Sequence, residues 1–220
     1  MKILCLVDHL GSGGAQRQMT ILALLFKERG HAVEVLTYYS NDFFLPSLAR
    51  AQIPVVCLNE ERPIKRILKV RKILRNGDQD AVLSFLNTPN FIACLSAIGG
   101  RNWSLVVGER SAGIKSFTSL KGRFFKLFNY FADSIVCNSY NASNMWVTHF
   151  PYFQNKISIL YNPIIIDEIV STDSYQPKQD GRLHIIIAAG YRDEKNLVGV
   201  IEAVNLLEAE YKQKLMIEWY

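Results

Sequence analysis

The chain begins with Met1-Lys-Ile-Leu-Cys-Leu-Val-Asp-His-Leu-Gly-Ser-Gly-Gly-Ala-Gln16, a stretch whose pattern indicates the fold class. The run after Lys2 is almost continuously apolar, which is typical of a strand buried on both faces of a parallel sheet. A glycine cluster follows, and the next residues predict an amphipathic helix over 16–29. Such a strand, glycine turn and helix can bind an anion, because backbone N–H groups approach it beside the positive end of the helix.

The spacing of these glycines separates the possible ligands. The dinucleotide motif Gly-x-Gly-x-x-Gly would need a glycine at Gln16. It would also need an acidic residue near the end of the second strand, where Leu36-Thr-Tyr-Tyr39 offers none. No Gly-Lys-Ser/Thr of a P-loop is present. The turn therefore disfavours both a nicotinamide cofactor and a nucleoside triphosphatase.

The composition is typical of a globular protein. The 220 residues are 49% hydrophobic and 20% charged, enough to bury one good core and part of another. The longest apolar stretches are too short to span a bilayer, and no signal pattern precedes Lys2, so we expect a cytoplasmic protein. The cysteines have no metal-ligand spacing, and we expect them to be buried, reduced thiols. They are Cys5, Cys57, Cys94 and Cys137.

Buried strands alternate with amphipathic helices along the chain. The pattern predicts strands over 2–7, 32–37, 54–57, 81–84, 104–109, 134–137, 157–160, 183–189 and 215–218. It predicts helices over 16–29, 44–51, 63–75, 89–99, 121–131, 142–148 and 197–211. Gly30 is expected to cap the first of these helices at its C-terminus. This alternation predicts an α/β fold with a doubly wound parallel sheet of Rossmann-like type.

A polar segment over 171–182 interrupts the alternation. It contains Pro177 and Gly181 and lacks periodicity, so we predict a linker. Residues 1–170 then form an N-terminal Rossmann-like domain, and 183–220 begin a second Rossmann-like unit. A single strand–helix–strand cannot bury its own apolar faces, so we expect this second unit to be truncated.

Three motifs in this order resemble a known family. They are Gly13-Gly-Ala-Gln16, Tyr161-Asn-Pro163 and Gly190-Tyr-Arg-Asp-Glu-Lys-Asn196, the last followed by Ile201-Glu-Ala203. Together they look like the group 1, or family 4, glycosyltransferases of the GT-B fold. The resemblance implies two Rossmann-like domains facing a cleft, the first binding acceptor and the second a nucleotide-diphosphate sugar. It also implies sugar transfer with retention to a glycan or polyprenyl-linked acceptor, in bacterial surface polysaccharide or glycolipid synthesis, without metal or cofactor.

Two cations are the donor-side candidates. The resemblance implies that Lys195 matches the lysine of the family's Glu-Lys-Asn element and that Arg192 replaces an arginine that the family places at Gly190. Cations there stabilise the charge that develops on the leaving diphosphate. The alternative is a solvated, charged turn. The paired glutamates of the family lie beyond Tyr220, so no catalytic residue is assigned, and we expect the 220-residue chain alone to be inactive.

The acceptor-side candidates follow the strands at the carboxyl edge of the predicted sheet. They are Gly13, Gly14, Asn87, Glu109, Arg110 and Asn138. All but Asn138 have an alternative structural explanation. The glycines can serve packing alone, and the Glu-Arg pair can be an ion pair that holds its loop. Asn87, together with Thr88 and Asn90, can cap the following helix.

Two basic segments suggest that the protein contacts a membrane surface. Residues 62–75 contain seven basic side chains and no acidic one, and residues 115–131 combine four basic with six aromatic side chains. Such segments suit peripheral contact with anionic lipid, which places a lipid-linked acceptor on the cytoplasmic face of the inner membrane. The alternative is core-packed helices with a solvated outer face. No nucleic-acid-binding signature accompanies the net charge of +5, so we predict no nucleic-acid partner.

Two other functions stay open at this point. One is a non-catalytic or incomplete GT-B module that binds acceptor only. The other is a GT-B sugar-nucleotide epimerase, which would release epimerised donor instead of consuming an acceptor.

Overall fold

A computed structural model describes residues 1–110, 113–165, 180–191 and 193–220. The chain divides into two compact units, Met1–Ile166 and Asp167–Tyr220, and each is considered by itself. Arg192 and most of the segment predicted as a linker lie outside the described residues.

The first unit alternates strands and helices along its described length. Its strands are β1 (Lys2–Leu6), β2 (Ala32–Thr37), β3 (Val55–Cys57), β4 (Ala81–Phe85), β5 (Ser104–Glu109), β6 (Ser134–Cys137) and β7 (Ile157–Ile159). Its α-helices are α1 (Gly14–Glu28), α2 (Leu45–Arg50), α3 (Pro63–Asn76), α4 (Asn87–Ala97), α5 (Ile114–Thr118), α6 (Leu120–Leu127) and α7 (Tyr140–His149). Two 3-10 helices follow α6 and α7, at Phe128–Phe131 and Pro151–Lys156.

All seven strands form one parallel sheet in the order β3-β2-β1-β4-β5-β6-β7. The interior strand β1 pairs with β2 and β4, so that Cys5 lies opposite both Val35 and Leu83. The direction of winding reverses between β1 and β4, and in open α/β sheets the crevice outside the carboxyl ends at this point binds ligands. The predicted α/β fold with a doubly wound parallel sheet is confirmed.

Hydrophobic cores lie on both faces of the sheet. Alternate residues of β1 point to opposite faces, which explains its unbroken apolar sequence. Cys5 belongs to the core that includes Met19 of α1 and Leu48 of α2. Leu6 belongs to the core that includes Val70 of α3 and Trp146 of α7.

The predicted C-terminal cap of α1 is confirmed. Gly30 has a φ of +82°, a conformation that favours glycine. Its N–H donates to the carbonyl of Lys27 at 3.0 Å, and the N–H of His31 donates to the carbonyl of Phe26 at 3.1 Å. These two hydrogen bonds make a Schellman motif, which satisfies carbonyls at the helix end.

The prediction over 121–131 was too long as a single helix. The α-helix α6 ends at Leu127 and a 3-10 helix continues the chain, while α5 was not predicted. Ser119 separates α5 from α6, because it ends the first and its hydroxyl accepts a hydrogen bond from the N–H of Gly122 at 3.2 Å.

The second unit contains β8 (Leu183–Ile187), α8 (Leu197–Asn205), α9 (Ala209–Gln213) and β9 (Leu215–Trp219). The two strands are parallel, and the helix predicted over 197–211 is broken after Asn205. Within 180–191 and 193–220, none of the residues of these four elements is buried, and Ile186 is 68% exposed. The apolar faces of this unit are therefore uncovered.

The cysteine prediction was wrong at one position. Cys5, Cys94 and Cys137 are buried, and burial raises the pKa of each thiol to about 12. Cys57 is exposed, because it lies on the short strand β3 at the edge of the sheet. In the described ranges, no helix combines the length and apolar character needed to cross a bilayer.

Candidate functional site

The acceptor-side candidates of the first unit lie at one edge of its sheet. Since all seven strands are parallel, their carboxyl ends share that edge. The glycine turn follows β1, Asn87 follows β4, Glu109 ends β5 and is followed by Arg110, and Asn138 follows β6. The fold brings these loops together although they span more than a hundred residues of sequence.

Packing explains one glycine of the turn. Gly13 is the N-cap of α1, and a Cβ there would lie 2.2 Å from Oε1 of Gln16. The Gln16 side chain is buried, and its amide donates to Oδ1 of Asp8 at 2.9 Å. The backbone N–H of His9 donates to the same oxygen at 2.9 Å. Asp8 thus organises the turn, a role that sequence reasoning missed.

Packing does not explain the neighbouring glycine. Gly14 is exposed, and no atom of the described structure lies within 4 Å of the position of a Cβ. It is the first residue of α1, whose described first turn has no side-chain cap and no acidic residue. The positive end of α1 therefore opens on space at Gly14, which suits the approach of a ligand oxygen.

Glu109 is buried in an ion pair that holds its loop. Its carboxylate accepts from Nζ of Lys126 on α6 and, at 3.1 Å, from Nε1 of Trp146 on α7. The side chains of the ion pair are 7% and 2% exposed. Glu109 therefore forms an ion pair that holds its loop, but the partner of Glu109 is Lys126 and not Arg110. These contacts fix the end of β5 against α6 and α7.

Arg110 presents a desolvated cation at the same edge. Its guanidinium carbon lies 3.7 Å from the ring centre of Phe85, and Nη1 donates to Oδ1 of Asn162 at 3.1 Å. Nε is buried without a hydrogen-bond partner in the described structure, and no carboxylate described there lies within salt-bridge distance. Burial lowers the pKa of Arg110 to about 10, because it disfavours the charged form. A bound anion would restore the lost stabilisation of that charge.

Two asparagines lie close to Arg110. Asn138 donates from Nδ2 to the carbonyl of Arg110 at 3.4 Å. The carbonyl of Pro163, next to Asn162, accepts from the side chain of Gln18 on α1 at 3.4 Å. The 162–163 segment therefore contacts both Arg110 and the helix of the glycine turn. The sequence had marked this segment only as a motif.

The asparagines near β4 do not cap α4. The N-cap is Leu86, which makes no side-chain cap hydrogen bond, and Asn87 is the exposed first residue of the helix. Asn90 donates to the carbonyl of Gly108 at 3.1 Å and so ties α4 to β5. Leu86 has a φ of +78°, which costs about 1–3 kcal/mol for a residue with a side chain. Such strain is typical of functional sites, and this residue lies at the switch point.

The second unit places Lys195 at a helix N-terminus. Lys195 is exposed at the end of a 3-10 helix and directly precedes Asn196, the N-cap of α8. Oδ1 of Asn196 accepts from the N–H of Gly199 at 3.2 Å. A cavity of about 450 Å³ adjoins this turn. It is lined by Tyr191, Asp193, Asn196, Leu197 and Val198.

No group of three or more His, Cys, Asp or Glu side chains in the described parts of the chain is arranged to hold a metal ion. The two turns offer backbone amides, side-chain carboxamides and cations, and these groups suit hydroxyl and phosphate oxygens.

The seven-strand parallel sheet and its carboxyl-edge loops define one half of a GT-B-type protein. Anabaena Alr3699/HepE in complex with UDP-glucose is similar, with a TM-score of 0.75 and 16% identity over 100% of this chain and 60% of that one. UDP-GlcNAc 2-epimerase from Neisseria meningitidis bound to UDP-GlcNAc has a TM-score of 0.63 and 15% identity, over 100% and 66% of the two chains. At these identities the likeness shows the fold alone.

The sequence comparison goes further than the fold. Residues 12–168 match the family described as Glycosyltransferase Family 4. The chain belongs to this family, as its motifs predicted.

Two curated relatives come from Campylobacter jejuni. The GalNAc-alpha-(1->4)-GalNAc-alpha-(1->3)-diNAcBac-PP-undecaprenol alpha-1,4-N-acetyl-D-galactosaminyltransferase is 27% identical over 226 residues, which is 97% of this chain and 59% of that protein. The N-acetylgalactosamine-N,N'-diacetylbacillosaminyl-diphospho-undecaprenol 4-alpha-N-acetylgalactosaminyltransferase is 31% identical over 180 residues, 74% and 48% of the two. The chain thus spans about half of the length of these relatives.

Proposed function

We propose that the protein acts as a glycosyltransferase that moves a sugar from a nucleotide-diphosphate sugar to a glycan carried on a polyprenyl lipid. The proposal rests on the loops at the carboxyl edge of the first unit, in a chain that belongs to family 4. There the open N-terminus of α1 lies at the switch point of the sheet, and the desolvated Arg110 follows the next strand, β5, and contacts Phe85 of β4.

The acceptor binds at this edge of the first unit. Gly14 approaches an acceptor oxygen through the first N–H groups of α1, and Arg110 supplies the cation. Asn87 and Asn138 offer carboxamides from the neighbouring loops. Glu109 holds the end of β5 through its ion pair with Lys126, and Gly13 leaves room for the Gln16 side chain in the glycine turn.

The donor binds to the second unit. Lys195 and Arg192 neutralise the charge that develops on the leaving diphosphate, and the positive end of α8 adds to their effect. These cations make a metal ion unnecessary. The transfer proceeds with retention, and the leaving phosphate itself helps to take the proton of the acceptor hydroxyl.

The second unit is the beginning of a donor domain. We propose that 183–220 start this domain after a linker over 171–182 and that transfer needs further residues of the same kind of domain. The uncovered apolar faces of β8 and α8 support this, since Ile186 and Ile201 are 68% and 52% exposed. The 220-residue chain alone is then inactive.

A lipid-linked acceptor is the substrate class that the relatives favour. Both Campylobacter proteins are named for acceptors joined to undecaprenol through a diphosphate. The protein therefore works peripherally on the cytoplasmic face of the membrane that holds this lipid, through its basic segments at 62–75 and 115–131.

A transfer assay tests the proposal. The gene product, with any residues encoded after Tyr220, is incubated with labelled UDP-N-acetylhexosamines and a polyprenyl-diphosphate-linked N-acetylhexosamine. We expect release of UDP that depends on the acceptor, and a lipid product heavier by one sugar. Epimerised donor without acceptor would assign an epimerase instead. Acceptor binding without any turnover of the complete product would indicate a non-catalytic module.

The Lys195→Ala variant locates the donor site. Loss of one well-placed charge should lower turnover about a hundredfold. The Lys212→Ala variant is the matched control, because Lys212 is exposed on α9 and bonds to the carbonyl of Asn205, at the other end of α8. Equal kinetics of the Lys195→Ala variant and the parent would remove Lys195 from the site.

A further inference from the structure

Two exposed tyrosines meet at the carboxyl edge of the first unit. Tyr140 is the first residue of α7, and Tyr161 follows β7. Their ring centres are 6.2 Å apart, and the ring planes cross at 65°. Tyr140 is 67% exposed and Tyr161 is 59% exposed. Unlike a single exposed side chain, this tyrosine pair forms a surface of two adjoining rings that a ligand can cover.

The backbone that carries the tyrosine pair is held in place. Ser139 caps α7 with its hydroxyl, directly before Tyr140. The N–H of Leu160, which precedes Tyr161, donates to the carbonyl of Cys137 at the end of β6, at 2.9 Å. The pair is therefore a preformed surface, and a ligand that covers it orders little of the protein on binding.

The chemistry of this surface suits a sugar ring. A pyranose has a face of C–H groups and a rim of hydroxyls, so its C–H face can lie on the negative face of an aromatic ring. Each tyrosine also has a hydroxyl that can donate a hydrogen bond to the rim or accept one from it. The same negative ring faces repel a phosphate, so the pair favours the sugar part of an acceptor over its diphosphate.

The position of the pair indicates which sugar it would hold. Asn162 follows Tyr161 directly and accepts from Nη1 of Arg110 at 3.1 Å, so the pair adjoins the candidate acceptor edge. The strand before Tyr140, β6, is the third strand from β1 across the sheet. At about 4.8 Å per strand, its carboxyl end lies about 14 Å from that of β1, which leads into the glycine turn. One sugar ring is much shorter than this distance, so a ring that reacts beside the glycine turn would not reach the pair.

We propose that Tyr140 and Tyr161 form a subsite for a second sugar ring of the acceptor glycan, next to the ring that accepts the transferred sugar. This inference rests on the proposed function, since it takes the acceptor to be a glycan. Arg110 lies between the two ring positions, because β5 lies between β4 and β6 in the sheet. The subsite makes the protein distinguish acceptors by the number of sugars that they carry.

Kinetics with acceptors of different glycan length test the subsite. The complete gene product is assayed with water-soluble acceptors of short prenyl length that carry one or two N-acetylhexosamines. The parent should use the two-sugar acceptor with a kcat/KM about tenfold higher, which is the scale of one well-placed aromatic contact. Tyr140→Ala and Tyr161→Ala should each lose most of this preference. Their kcat/KM for the one-sugar acceptor should stay within about twofold of the parent, because that acceptor does not reach the pair.

Further variants separate the rings from their hydroxyls and from general damage. Tyr140→Phe and Tyr161→Phe keep the rings and should keep most of the preference for the two-sugar acceptor. Tyr152→Ala is the matched control, because Tyr152 is 61% exposed, contacts the ring of Phe153 at 4.7 Å and precedes β7, at the opposite edge of the sheet. This control should keep the parent's preference in full. Circular dichroism and the thermal midpoint check that all variants fold.

Binding of the two-sugar acceptor without donor tests the rings apart from any transfer. Protons of a sugar that lies on an aromatic face shift upfield in the NMR spectrum. One sugar of the bound acceptor should show this shift with the parent and with Tyr152→Ala, and lose it with the Tyr140→Ala/Tyr161→Ala double variant. An equal shift with the double variant and the parent, or no upfield shift with the parent, would overturn the inference. A parent dimer that the double variant dissociates without sugar would also overturn it, since a second copy would then cover the pair.

The result can be separated from the transfer reaction. If no sugar is transferred but the upfield shift depends on the tyrosine pair, the proposed function fails and the sugar subsite stands. If transfer occurs and the alanine variants keep the parent's preference for the two-sugar acceptor, only the subsite fails.

Discussion

The Lys126→Met substitution should destabilise the first unit severely. Lys126 and Glu109 are charged side chains buried where α6, the end of β5 and α7 meet. Methionine keeps the length of the side chain but removes the charge. The substitution takes the Lys126 cation away from the buried Glu109 carboxylate, while the hydrogen bond from Trp146 stays.

The expected magnitude follows from the burial of the pair. Removing one partner of a buried ion pair costs about 3–5 kcal/mol, because the remaining buried charge loses the opposite charge that offset its desolvation. Nζ of Lys126 also lies 4.0 Å from the ring centre of Phe117, a cation–π contact worth about 0.5–2 kcal/mol. The retained hydrogen bond from Trp146 offsets part of the loss, so we expect about 4 kcal/mol in total.

Urea unfolding measures this loss. Tryptophan fluorescence in a Trp219→Phe background reports the first unit alone, because Trp103 and Trp146 both belong to it. With a urea dependence near 2 kcal/mol/M, the midpoint should fall by roughly 2 M. The exposed Lys121→Met on the same helix is the control, and it should change the unfolding free energy by less than about 0.5 kcal/mol.

A double-mutant cycle separates the pair from its surroundings. The Glu109→Gln/Lys126→Met protein contains no buried charge at this position, so it should recover at least half of the loss seen in Lys126→Met. The coupling free energy should then exceed about 1.5 kcal/mol. A midpoint of Lys126→Met within about 0.3 M of the parent, or strictly additive losses in the double variant, would show that the buried ion pair does not stabilise the unit as expected.

Three further predictions concern the site, the thiols and the response to acid. Gly14→Ala should leave the thermal midpoint unchanged or higher, because a Cβ there meets no atom, yet raise the KM for acceptor; an unchanged KM would remove Gly14 from the site. Of the four native thiols, Cys57 alone should react rapidly with a thiol reagent at pH 8, and Cys57→Ser should abolish this phase, since burial raises the pKa of each of the others to about 12. The hydrogen bond from Arg101 lowers the pKa of Asp133, so the stability it contributes is present above about pH 4 and lost as the pH falls through the folded-state pKa. Asp133→Asn should therefore cost under about 1 kcal/mol at pH 7 for this half-exposed carboxylate, and the difference from the parent should close in acid; a constant difference would contradict the assignment.

Local pattern predicted most of the first unit. The unbroken apolar run from Ile3 to Val7 marked a central parallel strand, since residues facing both layers must be apolar. Gly30 marked the end of α1, because the positive φ at a helix C-terminus favours glycine and a glycine is visible in the sequence. The predicted helix bounds were wrong where the local sequence does not mark a helix end clearly. One example is Ser119, which ends α5 and starts α6 inside a segment of uniform helical pattern.

The site was less predictable, because its partners are set by tertiary structure. The sequence placed Arg110 at the right sheet edge, since the ends of parallel strands share one edge. It could not show that Glu109 pairs with Lys126, seventeen residues away, instead of with Arg110. Nor could it separate Gly13 from Gly14, because the difference depends on where the Gln16 side chain lies.

Hydrogen exchange with and without acceptor tests the location of the acceptor site most directly. The chain is mixed with a short polyprenyl diphosphate carrying an N-acetylhexosamine, and amide exchange is followed by mass spectrometry. We expect slower exchange in peptides that cover 8–18, 86–90, 108–110 and 138–142, at the carboxyl edge of the sheet. Slower exchange confined to the opposite edge, where a cavity of about 250 Å³ adjoins Lys2 and Gly77, would contradict it.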